Sequence, residues 1–151
     1  MLLGEILSSD QIVTNLEASD RWEVIDELIG HLVTCGKIRA EDCQAIAEVV
    51  KKRERSMSTG IGFGVGIPHA STELVGEVVG ALGRSNQGVN FDALDNKPVN
   101  LVVLFLVPQG QFQKHLHTLA NIAKTMHDSD FRGALIEAES AADIERIISS
   151  R

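Results

Sequence analysis

The stretch Val99-Asn-Leu-Val-Val-Leu-Phe-Leu-Val107 constrains the fold more than any other part of the chain. It is apolar at both odd and even positions, and a strand of this kind has to be covered on both faces. We therefore predict that it forms a central strand of a covered sheet. Two further strands are predicted, from Val78 to Leu82 and from Ile12 to Leu16. Because helical patterns separate these strands, the fold class is α/β or α+β.

Five segments carry helical patterns. The first follows the N-cap candidates Ser19 and Asp20, and it should end at Gly36, a residue suited to a helix C-terminus. Its apolar face consists of Ile25, Leu28, Ile29 and Leu32. The other helices are predicted from near Ala40 to Arg55, over 113–126, over 129–138 and over 141–149. The inner stripe of the second comprises Cys43, Ile46, Ala47 and Val50, and that of the third comprises Leu116, Leu119, Ala120 and Ala123.

A strict alternation of glycine with larger residues occupies positions 60–67. Glycine stands at every even position, and Ile61, Phe63, Val65 and Ile67 stand between. Period-two alternation predicts an extended chain, and glycine along one whole face means that another backbone or a ligand approaches closely there. Pro68 ends any strand pairing at that point because proline has no backbone N–H.

His69 follows this glycine segment and Pro68, and it is the first candidate for chemistry. A neutral imidazole is nucleophilic, and an ordinary histidine pKa of about 6.5 leaves most of it neutral at pH 7. It can therefore accept a phosphoryl group as a covalent phosphoramidate without an activating base. A turn histidine whose ring is satisfied by backbone groups is the structural alternative. The residues alone leave both interpretations open.

His115 and His117 cannot share one site if residues 113–126 are helical, because residues two apart point about 200° apart. His115 lies on an apolar border in the first turn, where backbone donors meet anions, and is the better candidate. His117 lies on the opposite flank. If the segment were a strand, the pair would face one way like zinc ligands, but no further ligand type lies nearby in the sequence.

Arg53 is the third candidate, because a guanidinium can hold phosphate oxygens in bidentate fashion. An exposed arginine at a helix end is the simpler interpretation, and the same applies to Arg55. The glycine segment lacks the Lys-Ser/Thr of a P-loop and the spacing of a dinucleotide site. No G-x-S-x-G nucleophile elbow is present either.

Composition excludes several classes of protein. The 151 residues include 14 basic and 21 acidic ones, a formal charge of −7, which disfavours binding to nucleic acid. No run reaches the roughly 20 apolar residues of a membrane span. Cys35 and Cys43 are too few for a disulfide framework and suggest reduced thiols. We therefore expect one domain over residues 1–151 in a cytoplasmic protein, with neither metal nor cofactor and no direct membrane insertion.

The glycine segment and its surroundings resemble a known family. Glu54, followed after six residues by Ile61-Gly-Phe-Gly-Val-Gly-Ile-Pro-His-Ala70, is similar to the signature of type-2 enzyme IIA domains of the phosphoenolpyruvate-dependent sugar phosphotransferase system. This is the fructose/mannitol class, which includes the nitrogen-regulatory enzyme IIA proteins. Gly66 departs from it, since the family usually has alanine there. The resemblance extends to the segments 7–12, 58–62, 91–95, 98–108 and 115–119.

The resemblance implies a mixed, partly antiparallel central sheet with helices on both faces. It further implies a phosphotransferase component in which His69 accepts a phosphoryl group from the phosphocarrier HPr or a paralogue, on Nε2. His115 and Arg53 match the supporting histidine and arginine. The phosphoryl group would pass to a cysteine of an enzyme IIB domain in sugar transport. In the alternative, a nitrogen-regulatory type of enzyme IIA controls target proteins by its phosphorylation state.

Overall fold

The apolar run at 99–107 forms the central strand of one mixed sheet in the computed structural model, which describes residues 1–150. Its strands are β1 (Ile12–Val13), β2 (Gly60–Gly62), β3 (Val65–Gly66), β4 (His69–Thr72), β5 (Val79–Val89) and β6 (Val99–Pro108). The spatial order is β1-β5-β6-β3-β2, and β4 pairs with β6 beyond the end of β3. The pair β5–β6 is antiparallel, whereas β3 and β4 both run parallel to β6.

Helices cover both faces of this sheet. They are α1 (Leu3–Ile6), α2 (Arg21–Thr34), α3 (Cys43–Ser56), α4 (Leu116–Met126), α5 (Ser129–Glu137) and α6 (Ala141–Ser149). Even-numbered residues of β6, such as Leu104, join the core under α2 and α3. From Leu101 onward the odd-numbered ones, such as Phe105, join a second core under the remaining helices, whereas Val99 belongs to the first core. This double burial explains why β6 is apolar at every position but one, and it confirms the predicted central strand and the fold class.

Local signals placed several helix ends correctly. Asp20 caps α2 by accepting a hydrogen bond from the backbone N–H of Glu23, and Gly36 follows that helix at φ 76°. The strand predicted from Ile12 to Leu16 is shorter than expected, since β1 ends at Val13. The strand predicted to end at Leu82 instead continues to Val89.

The glycine segment is a hairpin rather than one extended strand. Gly62, Phe63 and Gly64 have φ values of 93°, 59° and 78°, which turn the chain so that β2 pairs antiparallel with β3. At two of the glycines another part of the chain does come as close as predicted. A Cβ on Gly60 would lie 2.8 Å from that of Ala93, and one on Gly66 would lie 2.9 Å from the Phe91 ring.

The buried stripe of α4 differs from the predicted one. Thr118, Ile122 and Met126 are buried, whereas Leu116 is 42% exposed. Thr118 tolerates burial because its hydroxyl is hydrogen-bonded, accepting from the α-amino group of Met1 at 3.4 Å. Leu119 and Ala123 of the predicted stripe are partly buried and still pack against the second core, so the buried face is turned toward Thr118, Ile122 and Met126 relative to the prediction. Within residues 1–150, no helix combines the length and apolarity needed to cross a membrane.

Candidate phosphoryl-acceptor site

A cleft of about 400 Å³ opens between the C-terminal half of α3 and the edge strand β4. The helix contributes residues at spacing i, i+3, i+4 and i+7, which share one face. The lining residues are Val49, Lys52, Arg53, Ser56, His69, Ala70, Ser71 and Phe112. Two of the three predicted site residues, His69 and Arg53, therefore meet in one cleft.

His69 is held in a defined orientation at the start of β4. Its side chain is buried, with 7% of the residue exposed, and Nδ1 lies 2.8 Å from the carbonyl oxygen of Ile67. A carbonyl oxygen only accepts hydrogen bonds, so Nδ1 carries the hydrogen and the lone pair of the neutral ring is on Nε2. The ring of Phe112 stacks nearly parallel to it, with centroids 5.9 Å apart.

Burial keeps the His69 ring neutral. Desolvation is the largest effect and lowers the pKa of His69 below its ordinary value of 6.5, and the nearby Arg53 charge lowers it further. The hydrogen bond to Ile67 and the charge of Glu54 act in the opposite direction. A neutral, oriented imidazole is the form that can attack phosphorus.

Arg53 is fixed by the end of its own helix. Its Nη1 donates to the carbonyl oxygen of Met57 at 3.0 Å and lies 3.4 Å from the hydroxyl of Ser56. The cleft also contains the exposed side chain of Lys52, so two cations border His69. Cations in the last turns of a helix are favoured by the helix dipole, and together they suit an anionic group in the cleft.

His115 does not line this cleft. It is 8% exposed and borders a separate, larger cavity of about 570 Å³ that also contacts Met1 and Gln11. Its Nδ1 is 3.5 Å from the Thr118 hydroxyl, and its ring meets Phe105 edge-on with centroids 6.4 Å apart. Burial is the main cause that lowers the pKa of His115, followed by the charge of Lys114.

The two histidines are nonetheless linked by one residue. His69 pairs in register with Phe105, the residue whose ring contacts His115. The helical-face prediction that His115 is semi-buried and His117 is not agrees with the structure, since His117 is exposed. Among residues 1–150, no group of three or more His, Cys, Asp or Glu side chains is arranged to hold a metal ion.

The family model for the phosphoenolpyruvate-dependent sugar phosphotransferase system, EIIA 2, matches residues 5–151. The chain belongs to this EIIA family. This match confirms the family that the sequence resembles. The mixed sheet with helices on both faces confirms the fold that the resemblance implied.

Known proteins of both branches are similar to this EIIA chain. A fructose-specific EIIABC component of Bacillus subtilis is 37% identical over 149 residues, 99% of this chain but only 23% of that protein's length. A fructose-specific EIIA component of Haloferax volcanii is 35% identical over 125 residues, 83% of this chain and 80% of the relative. The crystal structure of nitrogen regulatory protein IIA-Ntr from Neisseria meningitidis superimposes with a TM-score of 0.86 at 32% identity, covering 97% and 98% of the two chains.

Lys52 and Phe112 were not singled out from the sequence of this EIIA protein. Lys52 lies three residues after Val49 and next to Arg53, so helical spacing from Arg53 could have placed it on the cleft face. Phe112 precedes the helical turn Gln113–His115, and nothing in its local sequence indicates that its ring stacks on His69.

Proposed function

We propose that this EIIA protein is a phosphoryl carrier that accepts a phosphoryl group on Nε2 of His69 from HPr or a paralogue. The hydrogen bond from Nδ1 to the Ile67 carbonyl carries the proposal, because it leaves Nε2 as the nucleophile. In the transfer, the Nε2 lone pair forms a bond to phosphorus while the bond to the donor breaks and its electrons stay on the donor atom. Positioning and charge stabilisation supply most of the catalysis in such a step.

Arg53 and Lys52 would neutralise the phosphoryl oxygens as the group arrives. Arg53 is held by Met57, so its guanidinium needs little reorganisation to act. The supporting role of His115 stays a prediction. Its ring contacts Phe105, the partner of His69 in the sheet, and it does not line the cleft itself. The chain would function as one IIA domain over residues 1–151 in the cytoplasm, without metal or cofactor.

Two acceptors fit the relatives. The Bacillus subtilis protein unites A, B and C components for fructose, which favours transfer to a cysteine of an enzyme IIB domain in sugar transport. The likeness to IIA-Ntr of Neisseria meningitidis extends over nearly the whole length of both chains. This likeness favours a regulator that binds target proteins according to its phosphorylation state. Sugar transport is our first candidate function and regulation the second.

Labelling tests the shared part of the proposal. Incubation with phosphoenolpyruvate, enzyme I and HPr should add one acid-labile phosphoryl group, seen by intact-mass analysis. His69→Ala should abolish the addition, while His117→Ala, a control on the exposed side of α4, should keep it. Absence of any addition to the unmodified protein would refute the carrier function, and persistent labelling of His69→Ala would move the acceptor to another residue.

Variants at the other two residues separate their roles. Arg53→Ala should slow phosphoryl acceptance about tenfold or more, because it removes a charge-assisted contact to the transferring group. His115→Ala should slow it as well, and an unchanged rate would remove His115 from the site. Adding an enzyme IIB domain to the labelled protein then distinguishes the acceptors, since loss of label to that domain supports transport.

A further inference from the structure

A buried carboxylate lies behind the proposed acceptor and has no role in the transfer described above. Glu54 is 1% exposed and follows Arg53 in α3. One of its oxygens accepts from Nη1 of Arg21 at 3.1 Å and from the backbone N–H of Thr59 at 2.9 Å. The other accepts from the Thr59 hydroxyl at 2.5 Å.

These contacts offset the cost of burying the charge. A buried carboxylate is expensive unless it is paired and its oxygens are hydrogen-bonded, and both conditions hold for Glu54. The Arg21 side chain is itself 17% exposed and lies over the Trp22 ring, with its guanidinium carbon 4.4 Å from the ring centroid. Glu54 thereby ties the end of α3 to the start of α2 and to the chain entering β2.

A continuous series of hydrogen bonds leads from Thr59 to the acceptor. The backbone N–H of Ile67 donates to the carbonyl oxygen of Thr59 at 3.0 Å. The carbonyl oxygen of Ile67 in turn accepts from Nδ1 of His69 at 2.8 Å. Thr59 donates two hydrogen bonds to Glu54, and its own carbonyl oxygen holds Ile67, the residue whose carbonyl orients the imidazole.

We propose that Glu54 is a positioning residue for the phosphoryl acceptor, acting through Thr59 and Ile67 to hold His69 in the Nδ1–H tautomer. The inference rests on the proposed function and deepens it. Because Arg53 and Glu54 are neighbours at the same helix end, one segment places the cation in the cleft and the anion behind it. A shift of this segment would alter the orientation of the imidazole and of the guanidinium together.

Two substitutions separate hydrogen bonding from charge. Glu54→Ala removes both anchors of Thr59, whereas Glu54→Gln retains a carbonyl oxygen for the Thr59 N–H and an amide that can donate to its hydroxyl. Glu48→Ala is the matched control, since Glu48 is an exposed carboxylate on the same helix. Circular dichroism and thermal melting identify the variants that fold.

The first readout is the tautomer of His69, measured from the ¹⁵N chemical shifts of its ring above its pKa. The unmodified protein, Glu54→Gln and Glu48→Ala should all show Nδ1–H. Glu54→Ala should show a mixture of the two tautomers. The second readout is the rate of phosphorylation, which should fall about tenfold or more in Glu54→Ala and stay within about threefold in Glu54→Gln, because misplaced reacting groups lose rate steeply.

A folded Glu54→Ala variant with His69 wholly in the Nδ1–H form and an unchanged rate would overturn the inference. If that variant does not fold, Glu54→Met takes its place, since it fills the buried volume and likewise removes both anchors of Thr59; an unaltered tautomer and rate there would also overturn the inference. The tautomer measurement needs no phosphoryl donor. An unmodified protein that accepts no phosphate would therefore refute the carrier function without deciding the role of Glu54.

Discussion

Replacing Gly66 by alanine would restore the residue that the family usually carries at this position near His69. In this chain the space for a methyl group is already occupied. A Cβ on Gly66 would lie 2.9 Å from both Cε1 and Cζ of Phe91 and 3.2 Å from its Cδ1. Phe91 is 1% exposed and is embedded in the core under α2 and α3, so its ring has little room to withdraw. We therefore expect Gly66→Ala to be destabilising.

The magnitude follows from two opposing terms. Inserting a methyl group into a well-packed core costs about 1 to 3 kcal/mol. Gly66 has no positive φ, so alanine fits its backbone and lowers the entropy of the unfolded chain, which returns about 0.4 to 1 kcal/mol. The middle of each range gives a net loss in the free energy of unfolding of about 1.3 kcal/mol. For a chain of this size that corresponds to a melting temperature lower by roughly 2 to 8 °C.

Urea denaturation of a double-mutant cycle is the suitable assay. Phe91→Leu trims the atoms that meet the new methyl group, so Gly66→Ala combined with Phe91→Leu should be less destabilised than the sum of the two single variants, by about 0.5 to 3 kcal/mol. Gly30→Ala is the control. A Cβ at this helical glycine meets nothing within 4 Å, and the substitution should stabilise by about 1 kcal/mol. A Gly66→Ala variant as stable as the unmodified protein, or an additive cycle, would refute the explanation.

Two further predictions concern buried polar side chains. Arg84 donates to the carbonyl oxygens of Thr14, Leu135 and Ala138, so Arg84→Met should cost roughly 2 to 4 kcal/mol in urea unfolding by leaving these acceptors unpaired; unchanged stability would contradict this role. Burial lowers the pKa of His69 in the folded state, so the unfolded chain binds more protons than the folded one below about pH 6.5. The contribution of His69 to stability should therefore be complete above that pH and should decline as the pH falls toward the lowered pKa. Urea unfolding measured over a pH series should show a shallower decline in the free energy of unfolding for His69→Asn than for the unmodified protein. An identical decline would exclude His69 as a cause of the pH dependence.

Features set by neighbouring residues were predictable from the sequence. The cap at Asp20 and the glycine after α2 depend only on local geometry, and the double burial of β6 follows from its own composition. The turn within the glycine segment was not predictable in this way. Both arms of the hairpin carry the same alternation, and the turn requires a positive φ at Phe63, a residue that rarely adopts one.

The candidate site shows the same division. The chemistry of the guanidinium and imidazole groups and the resemblance together indicated Arg53 and His69, and these residues do share a cleft. His115 was correctly assigned to an apolar border, but the cavity it contacts depends on how the N-terminal segment packs against it, which no local pattern specifies. The same holds for Arg84, a charged residue of β5 whose partners are more than 50 residues away along the chain or near its beginning.

The edge position of β4 leaves His69 accessible from the cleft and, in residues 1–150, it also leaves one side of the strand without a hydrogen-bonded partner strand. No strand in the described part of the chain pairs with its outer side, and an unpaired strand edge can recruit the edge of another molecule and start aggregation. Two features oppose this. β4 has only four residues, and the charged side chains of Lys52 and Arg53 border it from α3. The cations that suit a phosphoryl group would thus also act as gatekeepers, so neutralising both should promote self-association of the protein even where no phosphoryl donor is present.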